Sequence, residues 1–173
     1  MIPIIQTTTG PFLYFRTSKT ILILNQLITY FDSHALLYES QYGFKKNHST
    51  ELAALELADN IIGEMDKGRN PFCIFIDLSK AFDCLNHGIL LEKLKHYGVS
   101  GNALMLLADY LKNRAQYSEF DTVKSERSNL LSGVPQGSIL GPFLFLVYLN
   151  DFKLCTDKFH MINYADDTAL CST

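Results

Sequence analysis

Three aspartates carry the strongest hint of chemistry in this chain. Asp77 closes the apolar run Phe72-Cys73-Ile74-Phe75-Ile76, and Asp166-Asp167 follow a second such run that ends at Tyr164. A carboxylate beside Phe75, Ile76 and Leu78 is costly to bury without compensation. If the two strand ends meet, three carboxylates share one small volume, where like charge and desolvation push some of them to protonate. Bound divalent cations keep all of them ionised. Oxygen-only ligands suit Mg²⁺ or Mn²⁺ rather than zinc. Two such ions, about 3.5–4 Å apart, clamp the attacking and leaving oxygens of an in-line phosphoryl displacement. That chemistry rests on positioning and charge neutralisation, so it needs no nucleophilic side chain. Each piece alone has a plainer reading. An Asp at a strand end is often a cap or turn residue, and Asp-Asp after Tyr-Ala also suits an exposed β-turn.

The periodicity of the chain indicates which elements would hold these groups. Residues 1–17 lack a period and include Thr7-Thr8-Thr9-Gly10-Pro11, so an irregular N-terminal segment is expected there. From residue 18 onward Ile21, Leu24, Ile28 and Phe31 fall at helical spacing. Gln41-Tyr42-Gly43-Phe44-Lys45-Lys46-Asn47-His48 reads as a turn before a helix that starts at Ser49 or Thr50. Leu52, Leu55, Asp59, Ile62 and Met65 give that helix a mostly apolar stripe. The run 72–76 is short and rich in β formers, and reads as a strand buried on both faces at the centre of its sheet. Helices over 89–97 and 103–113 and a strand pair over 114–123 and 128–131 come next. The loop Gly133-Val134-Pro135-Gln136-Gly137-Ser138 leads into an apolar helix reaching about residue 152, and 159–164 is the second acid-terminated strand. The class is α+β, a small sheet covered by helices.

Composition limits what such a chain does. With 173 residues, 47% hydrophobic and 19% charged, it is one folded domain and not a disordered tail. Lys+Arg 15 against Asp+Glu 18 gives a net charge of -3, which argues against a free-standing DNA-coating protein but leaves room for a local basic groove. Cys73, Cys84, Cys155 and Cys171 form no C-x-x-C pair, so neither a disulfide framework nor a zinc module is expected and a reducing compartment fits. No stretch reaches the roughly 20 apolar residues of a membrane span. The N-terminus lacks the basic start of a secretory signal. A nuclear or cytoplasmic location away from membranes is the expectation.

The ordered set of motifs resembles the reverse transcriptases. Phe75-Ile76-Asp77-Leu78-Ser79-Lys80-Ala81-Phe82-Asp83 looks like polymerase motif A, and Gly133-Val134-Pro135-Gln136-Gly137-Ser138-Ile139-Leu140-Gly141-Pro142 like motif B. Tyr164-Ala165-Asp166-Asp167 resembles the Tyr-x-Asp-Asp box of motif C. Residues 41–50 are similar to the segment joining fingers to palm. Lys80-Ala81-Phe82-Asp83, Asn86-His87 and Asn150-Asp151 are similar to non-LTR (LINE-like) retrotransposon enzymes. The resemblance covers roughly residues 18–173, and several motifs in the family's order make it specific.

The resemblance implies the fingers and palm of a right-hand polymerase over 18–173, with a small antiparallel palm sheet. It also implies truncation after motif C, with no thumb and no endonuclease. Asp77, Asp166 and Asp167 would hold two Mg²⁺ or Mn²⁺ ions. Phe82 matches the steric gate that selects dNTP over rNTP, although a core role is compatible with the same ring. Gln136 and Gly137 match the nucleotide pocket. Tyr164 and Ala165 would lie on the template-primer side, and Lys45 and Lys46, beside His48, suit a template backbone; a plain exposed turn is the other reading of that cluster. Lys80 suits a phosphate or simply solvent. The implied partners are an RNA template, a DNA primer and dNTP. Residues 1–17 lack the family's usual triphosphate-contacting stretch, for which Arg16 or Lys19 is the remaining candidate. A fragment with its active-site residues but little processive activity is therefore expected. The rivals are a catalytically inactive remnant and a group II intron or retron type of reverse transcriptase.

Overall fold

The structure, a computed structural model, describes residues 4–8, 17–112, 114–120, 123–134, 137–155 and 157–172. In chain order the elements are β1 (Ile4–Thr8), α1 (Thr17–Ser33), α2 (Thr50–Asp66), β2 (Cys73–Asp77), α3 (His87–His96), α4 (Gly101–Leu111) and β3 (Ala115–Phe120). They continue with β4 (Val123–Lys124), β5 (Ser128–Asn129), α5 (Gly141–Leu149), a 3₁₀ turn (Phe152–Cys155), β6 (Phe159–Tyr164) and β7 (Asp167–Ser172).

The helices make the main core. Phe143, Leu144, Phe145, Leu146 and Val147 are buried in succession along α5. A helix apolar on every side belongs at the centre. Phe31 of α1, Leu90 and Leu94 of α3, and Leu107 and Leu111 of α4 pack around it. Phe31 meets Phe143 edge-on at 5.1 Å between centroids. Ser49 and Asn86 cap α2 and α3, accepting from the backbone N–H groups of Leu52 (3.3 Å) and Ile89 (3.1 Å). Buried Asn150, just past α5, donates to the Leu36 carbonyl at 2.7 Å and the Tyr97 hydroxyl at 2.8 Å, while its Oδ1 accepts from Tyr38 N–H at 2.7 Å. Asp151 pairs with Lys93 Nζ at 2.5 Å. The Asn150-Asp151 pair therefore locks α5 to α3 and to the loop after α1.

Two sheets flank this core. In one, β3 pairs antiparallel with β1, β4 and β5. The other is antiparallel with order β2-β7-β6. Ala53 of α2 packs with Ile162 and Ala169 over one face of this second sheet, flanked by Leu57 and Tyr42.

Three expectations are corrected, and the direction of the α2 stripe, left open by its period, is settled. Residues 4–8 are not irregular: Ile4, Ile5, Thr7 and Thr8 are β-branched, and β3 offers them an edge. The run ending in Asp77 is an edge strand, not a central one, and it is not buried on both faces: Phe75 is 71% and Ile74 44% exposed. The central place falls to β7, which has a hairpin partner on one side and β2 on the other. The apolar stripe of α2 faces outward, with Leu52, Leu55, Ile62 and Met65 exposed. The face turned to the sheet carries the smaller Ala53 together with Glu56 and Leu57. Finally, Cys73 and Cys171 form a disulfide, with Cα atoms 4.3 Å apart, between directly opposed residues of β2 and β7. Spacing along the chain says nothing of that register. Cys84 and Cys155 are free and exposed.

Candidate active site

Strand alternation decides which carboxylates meet. Along β2, positions 73, 75 and 77 share one face, and along β7 so do 167, 169 and 171. Asp77 lies directly opposite Asp167. Opposed residues of an antiparallel pair have Cβ atoms about 4.5–5.5 Å apart and project to the same side. Tyr164 of β6 is the neighbour of Asp167 on its other side, so the sheet end reads Asp77, Asp167, Tyr164. These three side chains lie at one end of an open cleft of about 350 Å³ between α2 and the sheet, whose apolar wall includes Leu57, Phe75 and Ile162.

Asp166 precedes Asp167 in the two-residue turn that joins β6 to β7 and is half-buried. Adjacent residues cannot both lie on the face of Asp77, so the register selects the second aspartate for the direct pairing. Among the described residues, no group of three or more His, Cys, Asp or Glu side chains is gathered as a ready ligand set. The donors that are present still fit a hard cation. Asp77 and Asp167 are oxygen donors facing each other, and among the described residues no ion pair or side-chain hydrogen bond offsets either charge.

The turn is held from behind by the 40–43 segment. Tyr42 N–H donates to the Asn163 carbonyl at 2.7 Å, and Asn163 N–H to the Ser40 carbonyl at 2.8 Å, so this segment pairs in parallel with the end of β6. Gln41 is buried, and its Oε1 accepts from Gly43 N–H at 2.8 Å and from Ala165 N–H at 3.2 Å. Ala165 has φ 56. A Cβ on Gly43 would overlap the Ala165 nitrogen and lie 2.7 Å from its Cα, so only glycine allows this approach. Ala165, read from the sequence as lying on the template-primer side, is itself buried.

Phe82 lies in the turn after β2, stacked on Phe145 with centroids 4.4 Å apart and met edge-on by Phe44 at 5.9 Å. Its carbonyl accepts from Val134 N–H at 2.9 Å, and the Leu85 carbonyl accepts from Gly133 N–H at 2.7 Å. His87 Nε2 lies 2.7 Å from the Gly133 carbonyl. The segment after β5 is thereby tied to the turn that follows Asp77, which brings Phe82 together with Gly133 and Val134. Gly137, exposed at φ 75, has open space where a Cβ would be. Gln136, like Arg16, lies outside the described residues. Lys80 is exposed at φ 55 in a turn.

Of the basic cluster, Lys45 donates from Nζ to the carbonyls of Tyr38 (3.1 Å) and Glu39 (3.4 Å), and burial pulls its pKa down. It is a local tie more than an open contact. Lys46 is exposed, and the His48 ring meets Tyr42 at a tilt of 56°, with centroids 5.3 Å apart. Sequence reasoning assigned no role to Gln41, Gly43, Asn86, His87 or Asn150. Each was visible only as a member of a motif.

Comparison with known proteins gives this arrangement a lineage. The sequence family described as "Reverse transcriptase (RNA-dependent DNA polymerase)" matches residues 16–173. The "Probable RNA-directed DNA polymerase from transposon BS" of Drosophila melanogaster is 32% identical over 163 residues, covering 86% of this chain and 17% of that relative. The "RNA-directed DNA polymerase from mobile element jockey" of the same species is 30% identical over 156 residues, with the same coverage. The chain thus spans about a sixth of the length of these relatives. Among solved structures, "apo telomerase from Candida Tropicalis truncated from C-terminal domain" superposes with a TM-score of 0.58 at 14% identity, over 95% of this chain and 38% of that one. That likeness assigns the fold, the polymerase fingers and palm with a small antiparallel sheet. With the motif order, the paired sheet-end aspartates and a family match across nine-tenths of its length, the chain belongs to the reverse transcriptase (RNA-directed DNA polymerase) family.

Proposed function

We propose that this chain forms the fingers-palm part of an RNA-directed DNA polymerase of the non-LTR retrotransposon type. In that reaction a primer 3′-OH attacks the α-phosphate of a dNTP and pyrophosphate leaves. The observation that carries the reading is the pair Asp77 and Asp167, opposed at a sheet end and without an ion-pair or side-chain hydrogen-bond partner among the described residues, with Asp166 in the adjoining turn. Asp77, Asp166 and Asp167 would hold two Mg²⁺ or Mn²⁺ ions, which when bound neutralise the triphosphate and activate the primer hydroxyl.

The chain's own residues supply shape. Phe82, held between Phe145 and Phe44, would occupy the space a ribose 2′-OH needs and so disfavour a ribonucleotide. Gly137 lets backbone approach the nucleotide, with Gln136 beside it offering both donor and acceptor. Tyr164, on the cleft rim, and Lys46 face the template-primer, while Lys19 is the described candidate for the triphosphate. The -3 net charge supports a weak grip on nucleic acid by the isolated domain, which would be poorly processive. These partners belong to the nucleus or cytoplasm. Among the described residues no helix is long and apolar enough to cross a membrane.

Titration with Mn²⁺ in the presence of dNTP tests the site. Two ions are expected to bind at millimolar or better affinity, and Asp77→Asn and Asp166→Asn are each expected to lose one or both. Equal binding by wild type and both variants would remove the basis for the proposal. Primer extension on an RNA template, abolished by Asp166→Asn, is the activity expected of the same site. Phe82→Val is expected to relax exclusion of ribonucleotides in that assay.

A further inference from the structure

We propose that Gln41 is a positioning residue whose side-chain carbonyl, with the close approach of Gly43, holds the β6–β7 turn in its left-handed conformation and so places Asp166. The inference rests on the polymerase reading for the importance of Asp166, and on separate geometry for the clamp. Ala165 has φ 56, a conformation that an alanine adopts only when its surroundings impose it. Part of that demand is the two-residue hairpin itself, whose favoured turns need a positive φ at this position. The contacts that hold an alanine there come from a segment more than a hundred residues earlier in the chain. Gln41 Oε1 receives the Ala165 N–H at 3.2 Å and the Gly43 N–H at 2.8 Å, so one buried carbonyl ties the turn to its own backbone. Gly43 seats directly on the Ala165 backbone, closing the side from which the turn would otherwise relax. The parallel pairing of Gln41 with Asn163 fixes the register of the whole arrangement. Gln41 touches no reacting atom in this account and acts through the turn.

The test combines Gln41→Met, which fills the same space without an acceptor, with Ala165→Gly, which takes φ 56 at no steric cost. Two quantities are read on the full chain: hydrogen exchange of the Ala165 amide by NMR, and Mn²⁺ affinity by water-proton relaxation. Gln41→Met is expected to melt cooperatively, lose protection at the Ala165 amide, and bind Mn²⁺ about tenfold more weakly. Adding Ala165→Gly to Gln41→Met is expected to restore the Mn²⁺ affinity without restoring the amide protection. A purely structural role for Gln41 would show no such rescue. Unchanged Ala165 protection in Gln41→Met overturns the clamp. Lost protection with unchanged Mn²⁺ affinity overturns its role in placing Asp166. Wild type and Asp77→Asn binding Mn²⁺ alike would instead defeat the polymerase reading, and the amide data would still decide the clamp. If Gln41→Met does not fold, Gly43→Ala poses the same question from the other side of the turn and is expected to show the same two losses.

Discussion

Glu56 projects from α2 into a set of three donors. Ser40 Oγ at 2.6 Å, the Tyr42 hydroxyl, and His160 Nε2 at 2.7 Å all converge on its carboxylate. Burial raises its pKa, but these hydrogen bonds and the charge of His160 outweigh burial and hold it below the ordinary carboxylate value. A lowered folded pKa means a stabilisation that is present above the unfolded carboxyl pKa and lost as pH falls through the folded one. Glu56→Gln is therefore expected to cost about 1–3 kcal/mol at neutral pH and to flatten the acid limb of the stability curve. Urea unfolding at several pH values measures both, and parallel acid limbs would contradict the assignment. The opposite sign holds for Tyr42. Its bond to Glu56, then its burial, push its phenol from 10.0 to about 12, so its contribution persists below 10.0 and fades as pH rises through about 12. Tyr42→Phe is expected to remove one late-titrating phenol from the alkaline absorbance titration. Neither residue stands out in the sequence, because a glutamate on a helix and a tyrosine in a turn are ordinary until the fold joins them.

At the scale of elements, the position of β2 governs tolerance to substitution. Phe75 lies on an edge strand and is 71% exposed, so Phe75→Lys is expected to shift stability by no more than about 0.5 kcal/mol. Ala169 lies in the central strand beneath α2, and Ala169→Asp would bury an unpaired charge at a cost of at least about 3 kcal/mol. Chemical denaturation of the two variants distinguishes edge from centre, and reversed sensitivities would contradict the sheet order. The outward stripe of α2 makes a second element-level expectation. Leu55→Glu with Met65→Lys should raise solubility and leave the melting temperature unchanged, because both side chains lie exposed. Helix α2 shows what periodicity leaves open. The stripe identified which residues share a face, and that face is the larger and more apolar one. Contact with the sheet instead selected the face bearing Ala53, where a small side chain lets helix and sheet approach closely.

Across the whole molecule, the Cys73–Cys171 bridge joins positions 98 residues apart and staples the strand that carries Asp77 to the strand that carries Asp167. Reduction, or Cys73→Ser, is expected to lower unfolding free energy by about 2–4 kcal/mol, measured by urea titration with and without reductant. A stability indifferent to reductant would show that the register alone aligns the strands. The amino-acid sequence by itself determined the class, the extent of most helices, the apolar nature of α5, and the acid-terminated strand over residues 159–164. These follow from local physics: side-chain period, capping residues such as Ser49, and turn-forming glycines. It also named Asp77, Asp166 and Asp167, because acids abutting apolar runs are conspicuous wherever they fold. Only the tertiary structure decided that β2 lies at an edge, that Asp167 rather than Asp166 faces Asp77, and that two distant cysteines are opposed. It alone brought Gln41 and Gly43 beneath the turn at Ala165. Each of these depends on strand register and on contacts between segments far apart in the chain, and a one-residue shift in register would reverse every face without altering a letter of the sequence.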